Sequence, residues 1–129
     1  MKSEIKYLEL KSGYQDNGPA WIGLVNLSKS GKTVYFNGRA LKSLGGTGIS
    51  GNYFDIQTNE EFWISDVKKN GFDRHWAGSG IIHVDERIVD EYLQIRGYSK
   101  LDPKQYTIVS VQETDVEYFN SLENQTLNS

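Results

Sequence analysis

Cysteine is missing altogether from this 129-residue chain. That removes disulfide staples, thiolate nucleophiles and every cysteine-ligated zinc or iron–sulfur site. A cysteine-free chain suits a reducing compartment, and the expected location is the cytoplasm. Long apolar runs are missing too. No stretch approaches the roughly 20 apolar residues that span a bilayer. The opening "MKSEIKYLELKSG" has no apolar signal-peptide core, so no membrane partner is expected, and the sequons at Asn26 and Asn124 carry little meaning. Acidic residues are absent between Asp16 and Asp55, while Lys29, Lys32, Arg39 and Lys42 fall there. Conversely, all 14 Lys and Arg residues precede Gln112, and the last segment holds Glu113, Asp115, Glu117 and Glu123. The net charge of −3 therefore sits in the tail, and the rest of the chain is slightly basic.

What is present fits one globular domain. The chain is 37% apolar and 24% charged, ordinary for a folded soluble domain. Its length is enough to bury on the order of two-thirds of the unfolded surface. The expected organisation is a β-rich domain over residues 1–111 and an acidic tail over 112–129, partly disordered or forming a short helix around Val116–Leu122. Alternation in "EIKYLELK" predicts a first strand with Ile5, Tyr7 and Glu9 on one face. "AWIGLVNLS" and "KTVYFNG" flank "KSG" as a hairpin, and "RALKSL" extends its second strand after a bend at Gly38. Tyr53–Gln57 and Glu61–Val67, joined through "TNE", form a second hairpin that Asn70-Gly71 ends. After "GIIHV" the period changes. Asp85 is a good N-cap, apolar residues recur at helical spacing, and Gly97 sits at a C′ position, so a helix is expected over about 86–96. "YTIVSV" reads as a final strand. The expected fold is mainly β (α+β): a small, strongly bent antiparallel sheet, SH3-like or otherwise barrel-like, with one helix in the C-terminal half. An open sheet with the helix across one face is the rival.

Chemistry-bearing candidates concentrate in two glycine-flanked segments. "GTGISG" (Gly46, Gly48, Gly51) matches the dinucleotide fingerprint by letter, but a strand pattern follows it rather than a helix, which removes that reading. No kinase motif accompanies it. A loop whose bare amides cradle an anion remains. "GFDRHWAGSG" places Asp73 and His75 on one side of an extended segment and Arg74 and Trp76 on the other. Asp73 orienting His75 as a base would serve a small hydrolase or lyase, with Ser79 or Ser50 as nominal nucleophile. No nucleophile elbow supports it. His75, His83 and Asp85 lack metal-site spacing, so no metal and no cofactor is expected. Tyr7 and Lys11 match the Tyr-x-x-x-Lys pair of short-chain dehydrogenases by letter alone. The recognitional reading takes Arg39, Arg74, His75 and Trp76, with Gly46, Gly48 and Gly51, as a ligand rim for a small molecule or peptide. A nucleic-acid reading uses Lys29, Lys32, Arg39, Lys42, Lys68 and Lys69.

The pieces "FNG", "GISGNY", "W-x-S-x-V-K-K-x-G-x-D-R-H" and "EYL" carry a resemblance over Tyr7 to Val111. The chain resembles a family of small bacterial proteins of unknown function, some bearing the name of deoxyxylulose-phosphate synthase. That activity is not expected here, because the chain has no "GDG…N" diphosphate–magnesium motif and is a fraction of the size. The resemblance implies a family and no mechanism. Three functions follow as expectations: a non-enzymatic binding or adaptor domain, a small hydrolase or lyase using Asp73 and His75, and a nucleic-acid-binding small barrel.

Overall fold

The computed structural model describes residues 2–11, 18–45, 51–67 and 81–128. For residues 123–128 only the backbone is described. Eight strands form one sheet: β1 (Lys2–Leu10), β2 (Ala20–Leu27), β3 (Thr33–Phe36), β4 (Arg39–Ser43), β5 (Tyr53–Asp55), β6 (Glu61–Asp66), β7 (Ile82–Asp85) and β8 (Tyr106–Val109). The order is β1-β6-β5-β4-β3-β2-β7-β8, and β1 also pairs with β2. The first six strands therefore close on themselves as an antiparallel barrel, and β7 and β8 extend it. Closure excludes the open-sheet alternative, and the mainly β, strongly bent SH3-like barrel is the fold observed.

Strand β2 makes this topology possible. One edge pairs with β1 along its whole length, from Ala20↔Glu9 to Leu27↔Lys2. The other edge is shared. Its C-terminal end pairs antiparallel with β3 (Asn26↔Tyr35, Leu27↔Val34), and its N-terminal end pairs parallel with β7 (Ala20↔Ile82, Ile22↔Val84). Gly23 lies where the two partners part. A Cβ there would stand 2.3 Å from Phe36 Cε1, so the Phe36 ring occupies the space a side chain would need.

Leu8, Leu10, Val25, Val34, Phe36, Leu41, Phe62 and Ile64 fill one core cluster. The opposite faces of β1 and β2 are not left to water. Tyr7, Ala20 and Ile22 pack with Ile82, Val84, Ile88, Tyr92 and Tyr106 beneath the helical connection from β7 to β8. This is why Tyr7, Leu8, Glu9 and Leu10 are all buried where alternation predicts one buried face. Burying both faces contributes about 1.5–3 kcal/mol for each large apolar side chain withdrawn from water.

The connection begins as a 3₁₀ turn at Glu86–Ile88 and continues as α1 (Val89–Arg96). Asp85 Oδ1 accepts from the Arg87 amide at 3.0 Å, the expected cap. The helix stops at Gly97, where Tyr98 N donates to Leu93 O at 2.9 Å and Gly97 N to Gln94 O. β7 and β8 run parallel, unlike the antiparallel strands of the barrel, and the helical connection is the crossover that parallel pairing requires. A second helix, α2 (Val116–Asn128), runs past Leu122. Its Phe119 packs with Tyr35 and Ala40 on the outside of the β3–β4 hairpin, with Val116, Leu122 and Ile56 around it.

That hairpin corrects the expected long second strand. "KTVYFNG" and "RALKSL" are two strands, paired from Thr33↔Lys42 to Phe36↔Arg39. Asn37 and Gly38 have φ of 51° and 75°. Positive φ at both central residues defines the type I′ geometry that fits the twist of a two-residue hairpin, and Asn-Gly is its favoured pair.

Candidate functional site

The parting of β3 and β7 creates a structural problem at Leu24, whose amide and carbonyl face neither strand. Side chains solve it. Asp85 Oδ2 accepts from Leu24 N at 3.1 Å, and Arg87 Nη2 donates to Leu24 O at 3.1 Å. The two side chains are locked together: Arg87 Nη2 meets Asp85 Oδ2 at 2.6 Å, and Nε meets Oδ1 at 2.9 Å. The Asp85 carboxylate is fully buried, whereas 46% of the Arg87 side chain is exposed. Burial is the largest influence on Asp85 and pushes its pKa up. Hydrogen bonds from the Arg87 side chain and amide and from the Leu24 amide, with the guanidinium charge, outweigh it and hold the carboxyl below its ordinary range. Arg87 is held above its ordinary value, chiefly by its hydrogen bond to Asp85.

Arg87 forms one wall of a groove of about 260 Å³. Leu24, Asn26, Tyr35, Phe36 and Asn37 line it together with the Gln112–Thr114 strap. The strap is fixed to the hairpin turn, where Gln112 N donates to Asn37 Oδ1 at 2.9 Å and Gly38 N to Thr114 Oγ1 at 2.8 Å. Asp115 then caps α2 through Tyr118 N at 3.1 Å. Arg87 Nη1 has no partner among the described residues, which leaves a guanidinium fixed from behind with one nitrogen to offer. Its charge is balanced by Asp85, and Glu113 adds one negative charge to the rim. The groove therefore suits a neutral or weakly cationic polar ligand rather than a phosphate. Among the described residues its lining holds one carboxylate, Glu113, and no histidine.

Compared with family models, with curated proteins and with solved structures, the chain matches none.

The residues singled out from sequence are placed unevenly. Asp73, Arg74, His75, Trp76, Gly46, Gly48, Lys68, Lys69, Ser50 and Ser79 lie outside the described residues. Arg39 is tied into the fold: its Nη1 reaches Asp55 Oδ2 at 2.6 Å and Glu60 Oε1 at 3.2 Å, and the guanidinium lies 5.3 Å from the centre of the Phe62 ring. Asp55 is 3% exposed, and its Oδ1 accepts from the amides of Gln57 (2.8 Å) and Thr58 (3.2 Å), so Arg39 neutralises a buried turn carboxylate. Gly51 lies against β6, where a Cβ would meet Phe62 O at 2.6 Å. Beside it, the Asn52 side chain donates to Ile64 O and accepts from Ile64 N, both at 2.8 Å, and so extends the β5–β6 ladder.

Lys29, Lys32 and Lys42 are exposed and lie at one end of the β3–β4 hairpin. Lys42 pairs with Thr33, and Lys29 and Lys32 belong to the preceding turn. Arg39 stands at the opposite end of the same hairpin. His83 and Asp85 share a strand face, but Asp85 is committed to Arg87, and His83 lies beside Trp21 with ring centres 6.0 Å apart. Among the described residues no three His, Asp or Glu side chains group as a metal site. No described helix is long and apolar enough to cross a membrane.

Proposed function

We propose that this protein is a cytoplasmic binding or adaptor module belonging with the small bacterial family it resembles, and that the groove beside Arg87 is a recognition surface. One observation carries the reading: a buried carboxylate fixes a half-exposed guanidinium at the split of the sheet, and three carboxamide residues from separate segments, Asn26, Asn37 and Gln112, line the groove beside it. Asn26 Oδ1 accepts from Ser3 Oγ, and Asn37 Oδ1 from the Gln112 amide. Carboxamides donate and accept together, as does a peptide backbone. An extended, uncharged peptide segment is thus the ligand class the lining fits. Arg74, His75, Trp76, Gly46 and Gly48 stay in the proposal as a second rim, and the experiment separates the two.

Peptides enriched from a random library on the immobilised protein are titrated calorimetrically against wild type, Asn26→Ala, Gln112→Ala, Glu113→Gln and the double variant Arg74→Ala with His75→Ala. Loss of a hydrogen bond worth about 0.5–1.5 kcal/mol weakens binding about 2- to 13-fold. Affinity indifferent to the first three substitutions removes the groove, and affinity lost only in Arg74→Ala with His75→Ala moves the site to the second rim. No enrichment at all removes the peptide ligand.

A second reading keeps nucleic acid as the partner, favoured by the grouping of Lys29, Lys32 and Lys42. Its signature is oligonucleotide binding that falls steeply with salt and disappears on triple substitution of these lysines by glutamate. Retention of binding in that variant, or none at low salt, counts against it. The hydrolase or lyase alternative rests on Asp73 and His75, and its mark is hydrolysis lost in His75→Ala.

A further inference from the structure

A closed barrel has no sheet edge, but the two added strands create one. Among the described residues β8 ends the strand order, with β7 on one side and no strand on the other. Natural sheets blunt such edges with short strands, charge, proline or bulges, because a row of unpaired peptide groups is a template for another strand. Among these devices β8 has only its shortness, at four residues. From Gln105 to Gln112, "QYTIVSVQ", there is no charged residue, glycine or proline, in a chain that is 24% charged.

The parallel ladder fixes which groups point outward. Ile82 N donates to Gln105 O at 2.9 Å, so Gln105, Thr107 and Val109 turn their peptide groups toward β7. Ile108 and Ser110 turn theirs away from the sheet. The side chain at the centre of this edge is also uncovered. Ile108 is 55% exposed, although its ladder partner Val84 is fully buried, so the apolar layer under α1 runs out to the edge.

We propose that β8 is the interface of a weak, two-fold symmetric dimer, in which the β8 strands of two copies pair antiparallel and join the sheets. A two-fold axis through such a pair stands perpendicular to the sheet, so directly opposed residues lie on one face. Centring it on Ile108 satisfies this and the outward peptide groups together. The two Ile108 residues exchange both backbone hydrogen bonds, and Tyr106 lies opposite Ser110 of the second copy, with the Ser110 amide turned toward the opposing strand. Thr107 then faces Val109 across the seam, and Gln105 faces Val111. Lys104, exposed at the start of the strand, comes beside the exposed Gln112–Glu113 segment of the second copy, twice by symmetry. That charge match, with a strand complementary to itself, favours a second copy over an unrelated peptide. So short an edge buries less than about 1,200 Å², which places the dimer among transient associations.

Sedimentation equilibrium over a wide concentration range tests it, with Ile108→Lys, Ser110→Pro and Lys104→Glu as variants. The expected result is a reversible dimer that weakens about tenfold or more in Ile108→Lys and Ser110→Pro, with unchanged circular dichroism and melting temperature, and less in Lys104→Glu. Ser110→Pro removes an outward amide that no strand uses in the monomer, so it reports backbone pairing separately from apolar contact. A protein that stays monomeric at millimolar concentration overturns the proposal. So does a dimer untouched by Ile108→Lys and Ser110→Pro.

Discussion

Replacing Asp85 perturbs the point where the barrel hands over to its two added strands. In Asp85→Ala three losses coincide. The Leu24 amide loses its acceptor, a cost of about 1–3 kcal/mol at this part-buried position. The cap on the 3₁₀ turn goes, at about 1 kcal/mol. Arg87 loses its carboxylate, but its half-exposed charge turns to water, so that part is discounted. Together these give about 2–4 kcal/mol, or a melting temperature lower by roughly 7–15 °C for a domain of this size. The reverse substitution, Arg87→Met, strands a carboxylate with no solvent access and is expected to cost about as much, some 3–5 kcal/mol. The double variant Asp85→Leu with Arg87→Met should cost less than the sum by more than about 1 kcal/mol, because neither charge is then left alone. The pH dependence carries its own sign. The folded carboxyl is held below its ordinary value, whereas the unfolded one titrates near 3.9. Its stabilisation is therefore complete above that value and is lost as pH falls through the depressed folded value. Urea unfolding of wild type and Asp85→Asn between pH 7 and pH 3 is the assay, and the two stability curves should converge on acidification. A loss under about 1 kcal/mol in Asp85→Ala, or parallel curves at every pH, refutes the role assigned to this pair.

Gly23→Ala sets a methyl against the Phe36 ring at 2.3 Å. It should cost upward of about 2 kcal/mol by thermal melting and be partly rescued by Phe36→Leu; no rescue would mean that the ring is not the obstacle. Arg39→Ala leaves the Asp55 carboxylate with two backbone amides and should cost about 2–3 kcal/mol, with Arg39→Lys recovering part. An unchanged melting temperature would free Arg39 for a ligand. Phe119→Ala should release α2 while the barrel persists. Amide exchange would speed over 116–122 but not in β1 and β6, with a local cost below the roughly 3–5 kcal/mol of a full-core Phe truncation. Global unfolding instead would make α2 part of the barrel's core.

Much of the barrel is legible in the chain because its cues are local. The alternation of β6, the Asp85 cap and the Gly97 stop each act within a few residues. In "YFNGR" the Asn-Gly pair is a hairpin signal in its own right, and it separates two strands that a mere bend at Gly38 would have left as one. Burial of both faces of β1 is a different matter. Whether Tyr7 meets solvent depends on a helix some eighty residues away. The parallel setting of β7 and β8 likewise follows from a crossover helix lying between them.

The groove shows why a site can escape sequence reading while its fold does not. Asn26 ends one strand, Asn37 opens a turn, Arg87 sits in a first helical turn, and Gln112 to Thr114 precede an acidic helix. Each has an ordinary local role, and none stands near a motif. They converge only because β2 divides one edge between two partners, and Gly23, Phe36 and Asp85 set the place of that division. Asp85 condenses the difficulty. Its local pattern identifies a helix cap, and it is one. The same carboxylate also satisfies a strand amide sixty-one residues earlier and aims an arginine into the groove. A residue's local fitness for one task hides a second task that only the closed barrel creates. If removing the Asp85 carboxylate left the Leu24 edge and the groove unchanged, the cap would be its whole function and the groove would lose the element that orders it.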